Sequence, residues 1–224
     1  MATAQAPRVV KKDITPIEAA RQFNATNALD FAGDVCNIGP RCNGNPGELK
    51  AAYLMATELE KYGLNVPRKK WIYEKTYNVI GKIEGTTNPD RYITLASHID
   101  SPHPTVVGVT DDATAMGIQV EIARILANTN KTILIIGFGV EELWFKGSED
   151  FVKKHPEIVR NCDAMIDLNC VGAGEYVTPI SSTSLPEPVK ADPKLLKLIE
   201  ESANELKTPL MIDTKTYSSD TYHF

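Results

Sequence analysis

The sequence predicts an α/β protein: a three-layer α/β/α sandwich in which helices cover both faces of one central, mixed but mostly parallel sheet. Three observations carry that expectation. Strand-like apolar runs alternate along the chain with segments of helical period. The run at 132–139, TILIIGFG, is almost unbroken in apolar residues, as a strand buried on both faces requires. Two short strand-like segments at 66–74 and 77–84 lie close enough to pair as a hairpin, which makes the sheet mixed. A length of 224 residues suits one domain, with a core large enough to dispense with disulfide staples.

The elements follow in order. Residues 15–34 have helical spacing: Thr15 is placed as a cap, Pro16 suits the first turn, and Ile17, Ala20, Phe23 and Ala28 share a face. Residues 36–46 are dense in Gly, Pro and Asn and read as a loop. Helical period returns over 47–62, with Leu49, Ala52, Ala56 and Leu59 on one stripe and Gly63 as the stop. After the two early strands, the turn Thr87-Asn88-Pro89-Asp90 leads into a third at 92–98. Residues 111–127 form an amphipathic helix, with Met116, Val120, Ala123 and Ile125 inward and Gly117, Glu121, Arg124 and Asn128 on the polar face. A second buried strand is expected at 162–171. Asp192-Pro193 opens a last helix, with Leu195, Leu198, Ile199 and Leu206 on its buried side, and 210–216 reads as a strand before the terminal SSDTYHF.

Composition excludes several functions. A formal net charge of −5 argues against a nucleic-acid binder, and Arg68, Lys69 and Lys70 read as a solvated strand edge. No run reaches the length of a membrane span. The opening MATAQAPRVV lacks an apolar signal core, leaving two localisations open: cytoplasmic, or secreted with the leader absent from this chain. Cys36 and Cys42 flank the glycine-rich loop and are able to pair in an oxidising compartment. Cys162 and Cys170 fit better as small buried hydrophobes. No CxxC spacing is present, which disfavours a structural zinc cluster.

Groups of one chemistry collect at the strand ends, where open α/β sheets place their sites. The strand at 92–98 runs out in Ser97-His98-Ile99-Asp100. Asp111 and Asp112 open the next helix. The strand at 132–139 ends in Glu141-Glu142, and the strand near 165 carries Asp167 and Asn169. Singly, each has an ordinary explanation as a cap, a dipole partner or a bonded structural histidine. Together they require a compensating cation, because no basic residue lies in the adjoining segments before Lys146. Imidazole and carboxylate are a donor set that catalytic zinc accepts.

At these residues the chain resembles the M28 family of zinc metallopeptidases, over nearly its whole length. NIGPRCNGNPGELKAAYLMATELEKYGL is similar to the family's entry loop and helix, and YNVIGKIEGT to the strand that follows. SHIDS is similar to "aHyDS", GVTDDATAMG to "GAnDNasGv", and FGVEELWFKGSEDFV to "f.aEElGl.GS..yv". The resemblance implies a phosphorylase/hydrolase-like zinc peptidase fold with two zinc ions. His98 would bind one ion, Asp111 would bridge, Glu142 would bind the other, Glu141 would be the general base and Asp100 would support His98. The implied reaction removes the free amino-terminal residue of peptide substrates.

Two departures accompany the resemblance. IDLNCVG aligned with "iNlDmvG" puts Asn169 where the family has a zinc-binding Asp and Asp167 where it has Asn. Either residue is a candidate ligand: Asp167 by a small shift, Asn169 through its amide oxygen. Secondly, SSDTYHF is similar to the family's "SDhxxF" segment, after which the family has one more strand, a helix and a last histidine ligand. The chain is therefore expected to be one M28-type domain lacking those elements, cut from a longer product. His223 is a candidate substitute ligand or an exposed terminal residue. Two rival functions remain open, a single-zinc glutaminyl cyclase of the same fold and a catalytically inactive member of it. Trp144 and Phe145 either line an apolar pocket or pack in the core; His103 reads as a loop residue and His155 as a helix end.

Overall fold

Alternation along a single strand organises the molecule. In the computed structural model, which describes residues 15–67, 76–102, 107–126, 128–184, 188–212 and 216–224, strand β3 spans Lys131–Phe138 and is buried almost throughout. Ile133 and Ile135 face one side and join Phe31, Val35, Met55, Leu59 and Met116. Leu134, Ile136 and Phe138 face the other and pack with Phe151. A strand flanked in this way must have helices on both sides.

Among the described residues three further strands join it in a sheet of order β1-β3-β2-β4: β1 at Val79–Ile83, β2 at Asn88–His98 and β4 at Cys162–Asp167. β1 runs antiparallel to β3, while β2 is parallel to both β3 and β4. The sheet is thus mixed and mostly parallel, as the sequence predicts. In register, His98 pairs with Phe138 and Ala96 with Asp167, so β2, β3 and β4 end together. The expected 66–74 strand lies largely outside the described residues, as do MATAQAPRVV, Arg68, Lys69, Lys70 and His103.

The helices are α1 (Pro16–Arg21), α2 (Ala25–Asn37), α3 (Pro46–Lys61), α4 (Thr114–Ile125), α5 (Lys146–Lys154), α6 (Pro156–Arg160) and α7 (Pro193–Leu206). The expected single helix over 15–34 is two. Thr15 caps α1 in a reciprocal box with Glu18, and the chain then breaks so that Asn24 caps α2 through the Thr26 amide. The break has a tertiary cause. Glu121 of α4 accepts the Asn24 N–H at 2.7 Å and Asn27 Nδ2 at 3.2 Å while Arg124 holds the same carboxylate. Glu121 is 1% exposed, so it belongs to the helix interface and not to a solvated face. Gly117 belongs there too: a β-carbon on it would stand 2.1 Å from the Ala28 carbonyl oxygen, so only glycine permits this approach of α4 to α2.

Helix α7 departs from expectation. Leu195 and Ile199 are half-buried, but Leu198 and Leu206 are exposed, and only Ala203 is buried. Amphipathic spacing identified the helix correctly, but nothing described here packs over that part of its apolar side. The 210–216 segment contributes a single parallel bridge from Leu210 to Val177, and residues 213–215 lie outside the described set. A 3-10 turn, Asp220–His223, returns the chain to the sheet. There Phe224 stacks on Phe151 at 5.6 Å and meets Phe138 at 6.3 Å.

Candidate metal centre and catalytic site

Each acidic or imidazole group arrives from the end of a different element. β2 delivers His98, which is 2% exposed. Its Nδ1–H donates to the Asp100 backbone carbonyl at 3.1 Å, which orients the ring and turns Nε2 toward Asp111. Nε2 lies 2.9 Å from Asp111 Oδ1. Asp111 comes from the irregular turn Val109–Ala113 that precedes α4, in which the Asp111–Asp112 peptide is cis. Asp112, next in the chain, turns inward and accepts the His98 backbone N–H at 3.0 Å.

β3 delivers the glutamate pair. Asp100, wholly buried, accepts the Glu141 N–H on one carboxylate oxygen at 2.9 Å and the Glu142 N–H on the other at 3.1 Å. This revises its expected role. The Asp100 backbone carbonyl orients His98, while its carboxylate fixes the backbone of both glutamates, its nearer oxygen lying 3.6 Å from His98 Nδ1. Each of His98, Glu141 and Glu142 offers a ligand atom within 4.8 Å of the others.

The two residues that sequence left as alternatives point to different partners. Asn169 Nδ2 reaches Glu141 Oε1 at 3.5 Å. Asp167 lies beside Ser219 and Asp220 of the terminal turn; burial raises its pKa, and Ser219, His98 and the Asp220 backbone oppose that rise. His223 is half-buried between Phe145 and Tyr222, with ring centres 6.5 and 4.9 Å away, rather than exposed. It stands outside the His98–Glu141–Glu142 cluster. His155 marks the junction of α5 and α6, as expected. Cys36 closes α2 and, like Cys42 and Cys162, is a half-buried free thiol, whereas Cys170 is exposed.

Electrostatics show what the arrangement lacks. Burial opposes a charge on His98, yet Asp112, Asp100, Asp111 and Glu141 outweigh burial and raise its pKa well above the ordinary value. Burial, reinforced by Asp100, Glu142 and Asp167 and opposed by His98, pushes Glu141 up to about 8. Burial also raises Glu142. A protein that concentrates this many carboxylates out of water needs positive charge among them. Buried oxygens without a partner include Glu142 Oε1, Asp112 Oδ1 and Asp167 Oδ2. Orphaned carboxylate oxygens beside an imidazole whose Nε2 faces the Asp111 carboxylate fit zinc in donor type.

Three contributors, Arg41, Glu48 and Asp220, carry no role in the sequence reading, and a fourth, Asp112, figures there only as the opening of a helix. Arg41, 0% exposed, donates from Nε to the Ile99 carbonyl at 2.9 Å, from Nη1 to Val107 at 2.6 Å and from Nη2 to Gly108 at 3.0 Å. It thereby ties together the two ends of the 99–108 segment that carry Asp100 and lead to Asp111. Glu48 of α3 accepts the Val140 N–H at 2.9 Å, just before the glutamate pair. Asp112 and Asp220 are buried acids at the same edge. Arg41 is visible in sequence only as the first residue of the entry loop RCNGNPG, with nothing there to mark it as buried.

Residues 78–224 match the family described as Peptidase family M28. The chain belongs to peptidase family M28. It is similar to a probable glutamate carboxypeptidase of Arabidopsis thaliana, 29% identical over 185 residues, covering 79% of this chain but 23% of that protein. Among solved structures it resembles a zinc aminopeptidase of Bacillus subtilis (TM-score 0.76, 15% identity, 90% of this chain and 82% of that one). It resembles a Bacteroides thetaiotaomicron glutaminyl cyclase equally well (TM-score 0.74, 22% identity, 90% and 80%). These likenesses establish the zinc exopeptidase fold. The chain spans about a quarter of the length of the curated Arabidopsis thaliana relative, and family membership implies zinc as the cofactor. No helix among the described residues is long and apolar enough to cross a membrane.

Proposed function

We propose that this chain carries the hydrolytic site of a zinc-dependent aminopeptidase acting on the first residue of peptides. The observation that supports it most is the placing of Glu141. Its side chain is 7% exposed, stands in the His98–Glu142 cluster, and its backbone is pinned by Asp100. His98, Asp111 and Glu142 would hold zinc, with Asn169 or Asp167 the remaining candidate ligand. Zinc bound there supplies Lewis-acid polarisation of the scissile carbonyl and a water acidic enough to attack at neutral pH.

The protein's own groups do the rest. Glu141 removes the proton from the attacking water as the new C–O bond forms, then returns it to the departing nitrogen as the C–N bond breaks. Asp100 holds Glu141 and Glu142 in register by their amides. The surplus of carboxylates favours a substrate that brings an ammonium group, as a free peptide amino terminus does.

The fold likeness to a glutaminyl cyclase, and an amide at Asn169 in place of an acid, favour a second reading as a single-zinc cyclase. One assay separates the two. Zinc-loaded chain is incubated with a leucyl and an amino-terminal glutaminyl peptide, and products are resolved by mass. Release of leucine, abolished by Glu141→Gln, is the expected result. Loss of ammonia from the glutaminyl peptide with its backbone intact would replace the peptidase with the cyclase.

A further inference from the structure

The loop after β4 lies across the cluster. Leu168 extends the sheet by donating its N–H to the Ala96 carbonyl at 2.9 Å, and the two residues after it diverge. Asn169 turns toward Glu141, with Nδ2 3.5 Å from Oε1. Cys170 takes the other flank, where the carboxylates of Asp111 and Asp112 both act on its thiol. A further contact fixes the loop there. Gly172, at φ 98°, lies so close to Thr114 that a β-carbon on it would collide with the threonine methyl. Thr114 opens α4, directly after the turn that carries Asp111 and Asp112. The loop is therefore docked on that turn.

Sequence alone suggests that Cys170 is a small buried hydrophobe, but the residue is exposed and unbridged. Packing does not account for a thiol at this place. Its surroundings do. His98 Nε2 and Asp111 Oδ1 stand 2.9 Å apart. Asp112 is 0% exposed and its Oδ1 has no partner. Its carboxylate acts on both the His98 imidazole and the Cys170 thiol. A buried, unpaired carboxylate oxygen next to both groups marks a place that a cation completes. These donors form a second set beside the His98–Glu141–Glu142 group, with His98 common to the two.

We propose that Cys170 is a further ligand of the metal centre, its thiolate joining His98 and Asp111 on one ion. This inference rests on the reading of the sheet edge as a metal centre. Burial, followed by Asp111 and Asp112 and opposed by His98, pushes the thiol up to about 11, so the metal-free chain holds it as S–H. As the sulfur–metal bond forms, that proton leaves to solvent. Thiolate then supplies the negative charge that the neighbouring Asn169 amide does not. It also makes this flank a mixed nitrogen, oxygen and sulfur site, which favours zinc or cobalt over magnesium or manganese.

Cobalt(II) in place of zinc reports sulfur directly, because a thiolate ligand adds charge-transfer absorption in the near ultraviolet. The cobalt-loaded wild type is expected to show that band. Cys170→Ser, a change at an exposed position, is expected to lose it. The variant should also bind cobalt at least about tenfold more weakly, since losing even a group that only orients a ligand does as much. Cys36, Cys42 and Cys162 are present in both proteins, so a difference between them belongs to Cys170. A second readout is the proton count when zinc is added to metal-free chain in weakly buffered solution near pH 7. The wild type is expected to release about one proton more per chain than Cys170→Ser. Bound cobalt, counted by elemental analysis, with no band in the wild type would overturn the ligand and leave the metal centre standing. So would a band or a proton count that Cys170→Ser leaves unchanged. A wild-type chain that binds neither cobalt nor zinc would remove the metal centre and the ligand together.

Discussion

Replacing Asp100 by Asn tests the site where its electrostatics and its backbone geometry meet. The carboxylate accepts two backbone amides, at 2.9 and 3.1 Å, from successive residues. Asparagine keeps one acceptor oxygen and turns an amino group toward the other N–H, which is left without an acceptor. A lost charge-assisted bond of this kind costs about 1.5–3 kcal/mol. In the metal-free chain the substitution also removes one negative charge from a cluster that already contains Asp111, Asp112, Glu141 and Glu142, and relief of repulsion offsets part of that cost. With zinc bound, the repulsion is already neutralised and the full cost appears. Asp100→Asn should therefore destabilise the zinc-loaded chain by about 2 kcal/mol and the chelated chain by clearly less. By linkage the difference is a weaker zinc affinity, about tenfold or more, the usual consequence of losing a group that orients ligands. Urea unfolding of both forms and a competitive zinc titration measure it. Equal destabilisation with and without zinc, with unchanged affinity, would refute the assignment of Asp100 as the organiser of the glutamate pair.

Other predictions follow from neighbouring groups. Arg41→Lys leaves at least one of three carbonyls unsatisfied and should cost about 2 kcal/mol in urea unfolding, whereas Arg91→Lys at the exposed Asp163 pair should leave the unfolding midpoint nearly unchanged. Gly117→Ala drives a methyl into the Ala28 carbonyl and should lower stability by about 2 kcal/mol or more, or force α2 and α4 apart. Glu48 is raised to about 7 by burial, with Asp100 adding to it and hydrogen bonds from Thr76, Gly44 and Val140 opposing it. Because its folded pKa lies above the unfolded value of 4.5, its contribution is fully present below that value and is lost as pH rises through about 7. In chelated protein, Glu48→Gln should accordingly cost more stability at pH 4.5 than at pH 7.5, by at most about 3 kcal/mol. A cost that does not vary with pH would contradict that placement.

Much of the fold was legible because its signals are local. The apolar run of β3 and the cap-and-stripe patterns of α3 and α7 each sit within one short segment, and their elements fall where expected. The break between α1 and α2 was not legible, because Glu121, nearly a hundred residues away, makes it favourable. The polar appearance of Gly117 and Glu121 on a helical wheel misled for the same reason: a close helix contact needs glycine, and a buried carboxylate with three partners is not a solvated one. At the site, His98, Asp111, Glu141 and Glu142 could be read from strand ends and motif order. The division of labour between the carbonyl and carboxylate of Asp100 could not, nor could the buried Arg41, since both depend on which backbone groups face inward. The exchange of Asp167 and Asn169 was visible in sequence. Its consequence, Asp167 set beside the terminal turn and Asn169 beside Glu141, required three dimensions.

The central claim is that the acidic edge of this sheet is a metal centre served by Glu141. The most direct test is the zinc retained per chain after dialysis of zinc-loaded protein, measured for the wild type, His98→Ala and Glu141→Gln, with amino-acid release assayed on the same samples. The account predicts retained zinc in the wild type, loss of it in His98→Ala, and zinc retained without amino-acid release in Glu141→Gln. A wild-type chain that folds but holds no zinc, or a Glu141→Gln chain that releases amino acids at the wild-type rate, would contradict it.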